Sequence, residues 1–138
     1  MKRVLVDIDV VLDVLLDRKP QVTASSAVWA AIETGSAQGL LAAHTLTTIH
    51  YLIRKEHGIA KGGRTLSAIL RVFDAAAVDG PVIHDALRLP MADFEDSVTA
   101  AAAHLAGCDL IVTRDPRGFR GSPVRILTPE AAAPLLVQ

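Results

Sequence analysis

Short apolar runs that end on an acid or a hydroxyl, each set apart by a longer helical stretch, constrain this chain more than any other feature. Val4-Leu5-Val6 stops at Asp7, and Leu110-Ile111-Val112 stops at Thr113. Strands so nearly free of charge are strands buried on both faces, and that burial requires a parallel sheet held between layers of helix. Five such strands are expected, at 3–6, 39–43, 75–78, 109–113 and 124–127. Between them the 3.6-residue pattern predicts helices at 10–16, 22–34, 45–57, 65–73, after Pro81, at 93–106 and at 129–136. Gly58, Gly62 and Gly63 are expected to break the chain between two of these helices. The fold class predicted is a three-layer α/β/α sandwich with a parallel sheet of four or five strands.

With 138 residues, 51% of them hydrophobic, the chain has the size of one domain spanning 1–138 and enough apolar surface for one core. Disorder is excluded by that apolar share, and a disulfide framework by the single Cys108, expected to be a small buried thiol. Fourteen basic residues against fifteen acidic ones give a net charge of -1, which excludes gripping nucleic acid by bulk charge but not by a local patch. Asp7 and Asp9 interrupt the apolar run that a secretion signal would need after Lys2 and Arg3. The stretch from Thr34 to Ile53 lacks charged residues, but half of it is polar or glycine, so no membrane span is expected and a cytoplasmic location is.

In an open parallel sheet the working crevice lies beyond the carboxyl ends of the strands. Asp7 and Asp9 follow the first strand, and Thr113, Arg114 and Asp115 follow the fourth. The helix before that fourth strand opens with Asp93, Glu95 and Asp96, with Asp93 and Asp96 on one helical face. Acids there also complement a helix dipole or cap its end. Capping does not require convergence from distant parts of the chain, however, and clustered carboxylates repel unless a cation or proton relieves them. Hard oxygen ligands of this kind suit Mg²⁺ or Mn²⁺, ions that activate water and neutralise phosphate. Arg114 and Arg117 lie beside Asp115, where guanidinium groups would meet phosphates.

Four segments carry a family resemblance. Val4-Leu5-Val6-Asp7-Ile8-Asp9-Val10-Val11-Leu12-Asp13 is similar to an opening "LLDTNVLLD". Asp93-Phe94-Glu95-Asp96-Ser97-Val98 precedes the alanine-rich helix, and Gly107-Cys108-Asp109-Leu110-Ile111-Val112-Thr113-Arg114-Asp115 is similar to "GCDYIVTRD". The ending Pro123-Val124-Arg125-Ile126-Leu127-Thr128-Pro129-Glu130 resembles "IPVLTPEE". Together these resemble the PIN domain, in particular the VapC-like ribonuclease toxins of toxin–antitoxin pairs.

The resemblance implies a metal-dependent endoribonuclease with RNA as substrate, a cognate antitoxin as partner and a homodimer as assembly. It implies catalytic and Mg²⁺- or Mn²⁺-holding roles for Asp7, Asp96 and Asp115, with Asp9 and Thr113 in support. The family commonly adds a glutamate, in a pattern like "TLTELLYVL", where this chain has Thr45-Leu46-Thr47-Thr48-Ile49-His50-Tyr51-Leu52. Thr48 therefore stands in the acid's place, and a threonine can hold a water but brings no charge. Asp93, one turn before Asp96, is expected to supply the missing carboxylate. His50 lies two positions past Thr48, roughly 200° around a helix, and is a poor substitute.

Two other readings remain open at this level. One is a PIN fold kept for partner binding after loss of activity, with Thr48 marking the loss. The other is a haloacid-dehalogenase-type phosphatase, which the Asp7-x-Asp9 pair resembles, although that family needs a lysine late in the chain and no lysine here follows Lys61.

Overall fold

The computed structural model describes residues 1–137. Its sheet has five strands, β1 (Arg3–Val6), β2 (Gln38–Ala42), β3 (Phe73–Ala76), β4 (Leu110–Val112) and β5 (Arg125–Leu127). They lie in the order β3-β2-β1-β4-β5, and every neighbouring pair is parallel. The expected architecture is therefore present, with all five strands at or near their expected places.

Side chains alternate across the sheet as a period of two requires. Val4, Val6, Leu41, Leu110 and Val112 face one core, which is closed by α1 (Ile8–Leu15), α2 (Val22–Glu33), α3 (Ala43–His57), α4 (Ile59–Ile69) and α7 (Pro129–Leu136). Leu5, Leu40, Ala76 and Ile111 face the other, closed by α5 (Gly80–Arg88) and α6 (Phe94–Leu105). The run Ala100 to Ala103 in α6 is almost wholly buried, and small side chains let that helix lie close on the sheet. None of the helices among the described residues is long and apolar enough to cross a membrane.

Of the boundaries that differ from expectation, three have a clear local reason. The first helix starts at Ile8 rather than Val10, because the Asp7 carboxylate accepts a hydrogen bond from the Ile8 N–H and caps it. The fourth runs from Ile59 to Ile69, through Gly62 and Gly63 rather than after them. A Cβ on Gly62 would stand 3.1 Å from His50 Nε2, so the glycine is where α4 closes on α3. Phe73 opens β3 instead of ending a helix, and Trp29 meets it edge-on with ring centroids 5.0 Å apart.

Strand order reverses at β1, which has β2 on one side and β4 on the other. Such a reversal leaves a crevice at the carboxyl ends of the two strands. Here those ends are Asp7 and Thr113, and Asp7 N–H donates to Val112 C=O at 2.9 Å to draw them together.

Candidate active site

Thr113 is fully buried and is the pin of the site. Its hydroxyl donates to Asp7 Oδ2 at 2.8 Å and accepts from the Asp115 N–H at 3.1 Å. Because Asp7 Oδ1 is already engaged by the Ile8 N–H, both carboxylate oxygens are fixed. One threonine thus sets two of the expected acids relative to each other.

α6 brings the next acids. Asp93 is its N-cap, with Oδ1 accepting from the Asp96 N–H at 2.9 Å. The cap sets the first turn, which carries Glu95 and Asp96 toward the crevice. The short 3-10 turn Pro116–Phe119 then folds over Asp96 and Asp115, anchored by the buried Phe119. A Cβ on Gly118 would lie 2.9 Å from Asp115 Oδ2 and 3.1 Å from Asp96 Oδ2, so both oxygens crowd the same side-chain-free space.

The electrostatics fit a crowded acid cluster. Burial, then the charges of Asp93, Glu95, Asp115 and Asp9, push the Asp96 carboxyl up to about 6. Burial and the Asp7 charge push Asp9 up to about 6 as well, against the pull of the Arg114 guanidinium. Asp7 is raised mainly by burial, with the Thr113 hydroxyl and the Ile8 N–H opposing and Asp96 and Glu95 adding to the rise. Asp9 Oδ1 is buried and has no hydrogen-bond partner among the described residues. An orphaned carboxylate oxygen amid raised carboxyls is a site short of positive charge. The donor set, carboxylate and hydroxyl oxygen, fits a hard divalent cation. Among the described residues, no three Asp, Glu, His or Cys side chains already stand together as a finished metal cage.

The match to known families decides what this crevice belongs to: a PIN domain profile covers residues 3–117. This chain belongs to the PIN domain family. Solved structures of similar fold include a toxin–antitoxin complex from Klebsiella pneumoniae, 20% identical over 91% of this chain and 97% of that one, with a TM-score of 0.69. DNA-bound VapBC from Salmonella typhimurium is 14% identical over 94% and 99% of the two chains, with a TM-score of 0.70. VapC20 of Mycobacterium tuberculosis, described as a toxin cleaving the sarcin–ricin loop, is 15% identical over 78% and 86%, with a TM-score of 0.60. At these identities the likeness is one of fold. The sequence matches no curated protein at a significant level.

The remaining residues of the PIN domain fall into place unevenly. Thr48 is exposed on α3 and makes no hydrogen bond to the acids among the described residues. One turn earlier His44 reaches α6, its Nε2 3.5 Å from Thr99 Oγ1. Burial lowers the His44 pKa against the raising charge of Glu95, which keeps the ring neutral near pH 7. His50 packs against Gly62 on α4. Arg117 is exposed on the 3-10 turn. Arg114 instead turns inward, its Nε 2.8 Å from Oδ2 of the wholly buried Asp13. Cys108 has its thiol pushed up to about 11 by burial, so it stays protonated.

Sequence reasoning missed His44, Gly118 and Asp13. The signal for His44 was available: a helix beginning at Ala43 rather than Thr45 puts residue 44 in its first turn, at the crevice edge. Gly118 carries no signal in sequence, and Asp13, which closes the opening family-like segment, carries none for its ion pair, since both matter through contacts with distant segments.

Proposed function

We propose that this PIN domain is a metal-dependent endoribonuclease, the toxin of a toxin–antitoxin pair, with residues 1–138 acting as one nuclease unit. The observation that carries the reading is the shared approach of the Asp96 and Asp115 carboxylates to Gly118, beside an Asp7 fixed by Thr113. In this reading Asp7, Asp96 and Asp115 hold Mg²⁺ or Mn²⁺, and Asp93 adds its charge from the helix cap. Asp9 and Thr113 support them, and Thr48 contributes at most a bound water. A divalent cation supplies water activation and relief of phosphate charge for in-line attack on phosphorus.

The chain's own residues do the positioning. Thr113 keeps the Asp7 carboxylate turned into the crevice and prevents its rotation. The Asp93 cap fixes the turn from which Asp96 projects. Arg117, exposed beside Asp115, meets the RNA backbone, with Arg114 behind it. No side-chain nucleophile is needed, in keeping with the protonated Cys108 thiol. Membership of the PIN family sets aside the phosphatase alternative.

The antitoxin partner is supported by the toxin–antitoxin complexes of similar fold. It is also supported by a groove of about 200 Å³ between α1, α2 and α4, lined by Leu15, Trp29, Lys61, Arg64, Ala68 and Ile69. Apolar walls with two cations at the lip suit an amphipathic segment carrying acids.

The test is cleavage of a panel of structured and single-stranded RNAs with Mn²⁺ or Mg²⁺, with chelator and Asp7→Asn as controls. Metal-dependent cleavage lost in the variant is expected. Thr48, uncharged where the family often has glutamate, favours a second reading, a binding module without activity. RNA left intact by pure protein across pH, with the groove still binding an antitoxin, would establish that second reading instead.

A further inference from the structure

Asp13 is a fully buried carboxylate outside the acid cluster, on the buried face of α1, the helix that Asp7 caps. An acid in that position needs partners, and it has them from three other segments. Ser25 on α2 donates its hydroxyl to Oδ2 at 3.1 Å. Arg18, in the α1–α2 connection, brings NH1 to 3.7 Å from Oδ1. Arg114 forms the close ion pair, with Nε 2.8 Å from Oδ2. Arg114 is also the residue between Thr113, which pins Asp7, and Asp115. Its side chain is 31% exposed although Nε is buried, so part of the arginine beyond the ion pair reaches solvent.

A long flexible arginine normally loses rotamer freedom when it binds a phosphate. Here the side chain is held in advance by the ion pair at Nε, a charge contact without hydrogen-bond alignment, and a guanidinium held by one carboxylate has nitrogens left for a second oxyanion. We propose that Asp13 is a positioning residue that holds Arg114 toward an RNA phosphate at the acid edge, resting on the nuclease reading above. Ser25 fixes the orientation of the Asp13 carboxylate, and Arg18 balances the rest of its charge. The acid cluster repels the substrate backbone, and Arg114 is the cation the fold keeps in place to oppose that repulsion.

The experiment compares wild type, Asp13→Asn, Arg114→Met, the double variant and Ser25→Ala. RNA affinity is read by fluorescence anisotropy on a short single-stranded RNA in chelator, kcat and KM are read separately in Mn²⁺, and folding is followed by circular dichroism. Asp13→Asn and Arg114→Met are expected to weaken kcat/KM by the same factor, on the order of 10²-fold for a misplaced contact. The affinity in chelator falls with them, and the double variant is no worse than either single one. Ser25→Ala keeps the ion pair and moves the same readouts in the same direction by less.

A normal kcat/KM and RNA affinity in folded Asp13→Asn overturns the proposal, as does a double variant whose loss is the product of the two. If Asp13→Asn does not fold, Ser25→Ala decides the matter, and unchanged binding there overturns the proposal. Wild type that neither binds nor cuts RNA overturns the nuclease reading together with this one. Active wild type with unchanged variants overturns this one alone.

Discussion

Asp9 and Asp96 each have a carboxyl pushed up to about 6, so each holds its proton more tightly in the folded chain than in the unfolded one. The sign follows from linkage: the stabilising share of these groups is fully present below about pH 4 and is lost as pH rises through about 6. Between those limits wild type is expected to lose thermal stability relative to Asp9→Asn and Asp96→Asn, as melting curves in chelator would record. Added Mn²⁺ should restore wild type more at pH 7 than at pH 5, because the carboxylates must be ionised to bind it. A flat wild-type-minus-variant difference across this range would refute the sign. Gly118→Ala tests the crowding directly. Its new methyl would meet both Asp115 Oδ2 and Asp96 Oδ2, while Gly118 itself lacks a positive φ, so the backbone tolerates alanine. Metal affinity by calorimetry should fall roughly tenfold or more, with little change in melting. The acids themselves were legible in sequence, because Asp7 and Asp115 follow buried strands and Asp96 opens a helix. The ion pair of Asp13 was not, since nothing local distinguishes a buried helical acid from a solvated one.

Secondary elements were read well where the pattern was strong and poorly where packing decides. The apolar central strands β1, β2 and β4 and the alanine-rich α6 declare their burial on their own. Helix α4 does not, because glycine argues against helix locally and only the approach of His50 explains Gly62. The same logic governs Gly39 on β2. A Cβ there would stand 2.6 Å from Ile32 Cγ2 and 2.8 Å from Phe73 Cδ1, both side chains being buried. Gly39→Ala is therefore expected to destabilise by about 1–3 kcal/mol through overpacking, measured by urea unfolding. Adding Ile32→Ala should relieve part of that loss, so that the double variant falls short of the summed singles. Strict additivity would mean that the two side chains do not compete for space.

For the whole molecule, the expected homodimer is a matter of which apolar surface is left uncovered. Leu16, Tyr51 and Leu52 are exposed, whereas Ile53, next along the same helix, is buried in the core. Arg54 sits 5.8 Å over the Tyr51 ring, which keeps that aromatic standing at the surface. Light scattering across a concentration series should give twice the chain mass, and Tyr51→Glu should lower it toward one chain. An unchanged dimer in that variant would move the interface elsewhere. The hydrogen bond from Thr113 to Asp7 joins residues 106 positions apart. Synthesis runs from one of these to the other, so a ribosome has made most of the chain before the two can meet. Until β4 slides in beside β1, Asp7 has neither its hydroxyl partner nor Asp115 as neighbour. An unfinished or stalled nascent chain thus lacks the joined acid edge, which is assembled among the last steps of the protein's own birth.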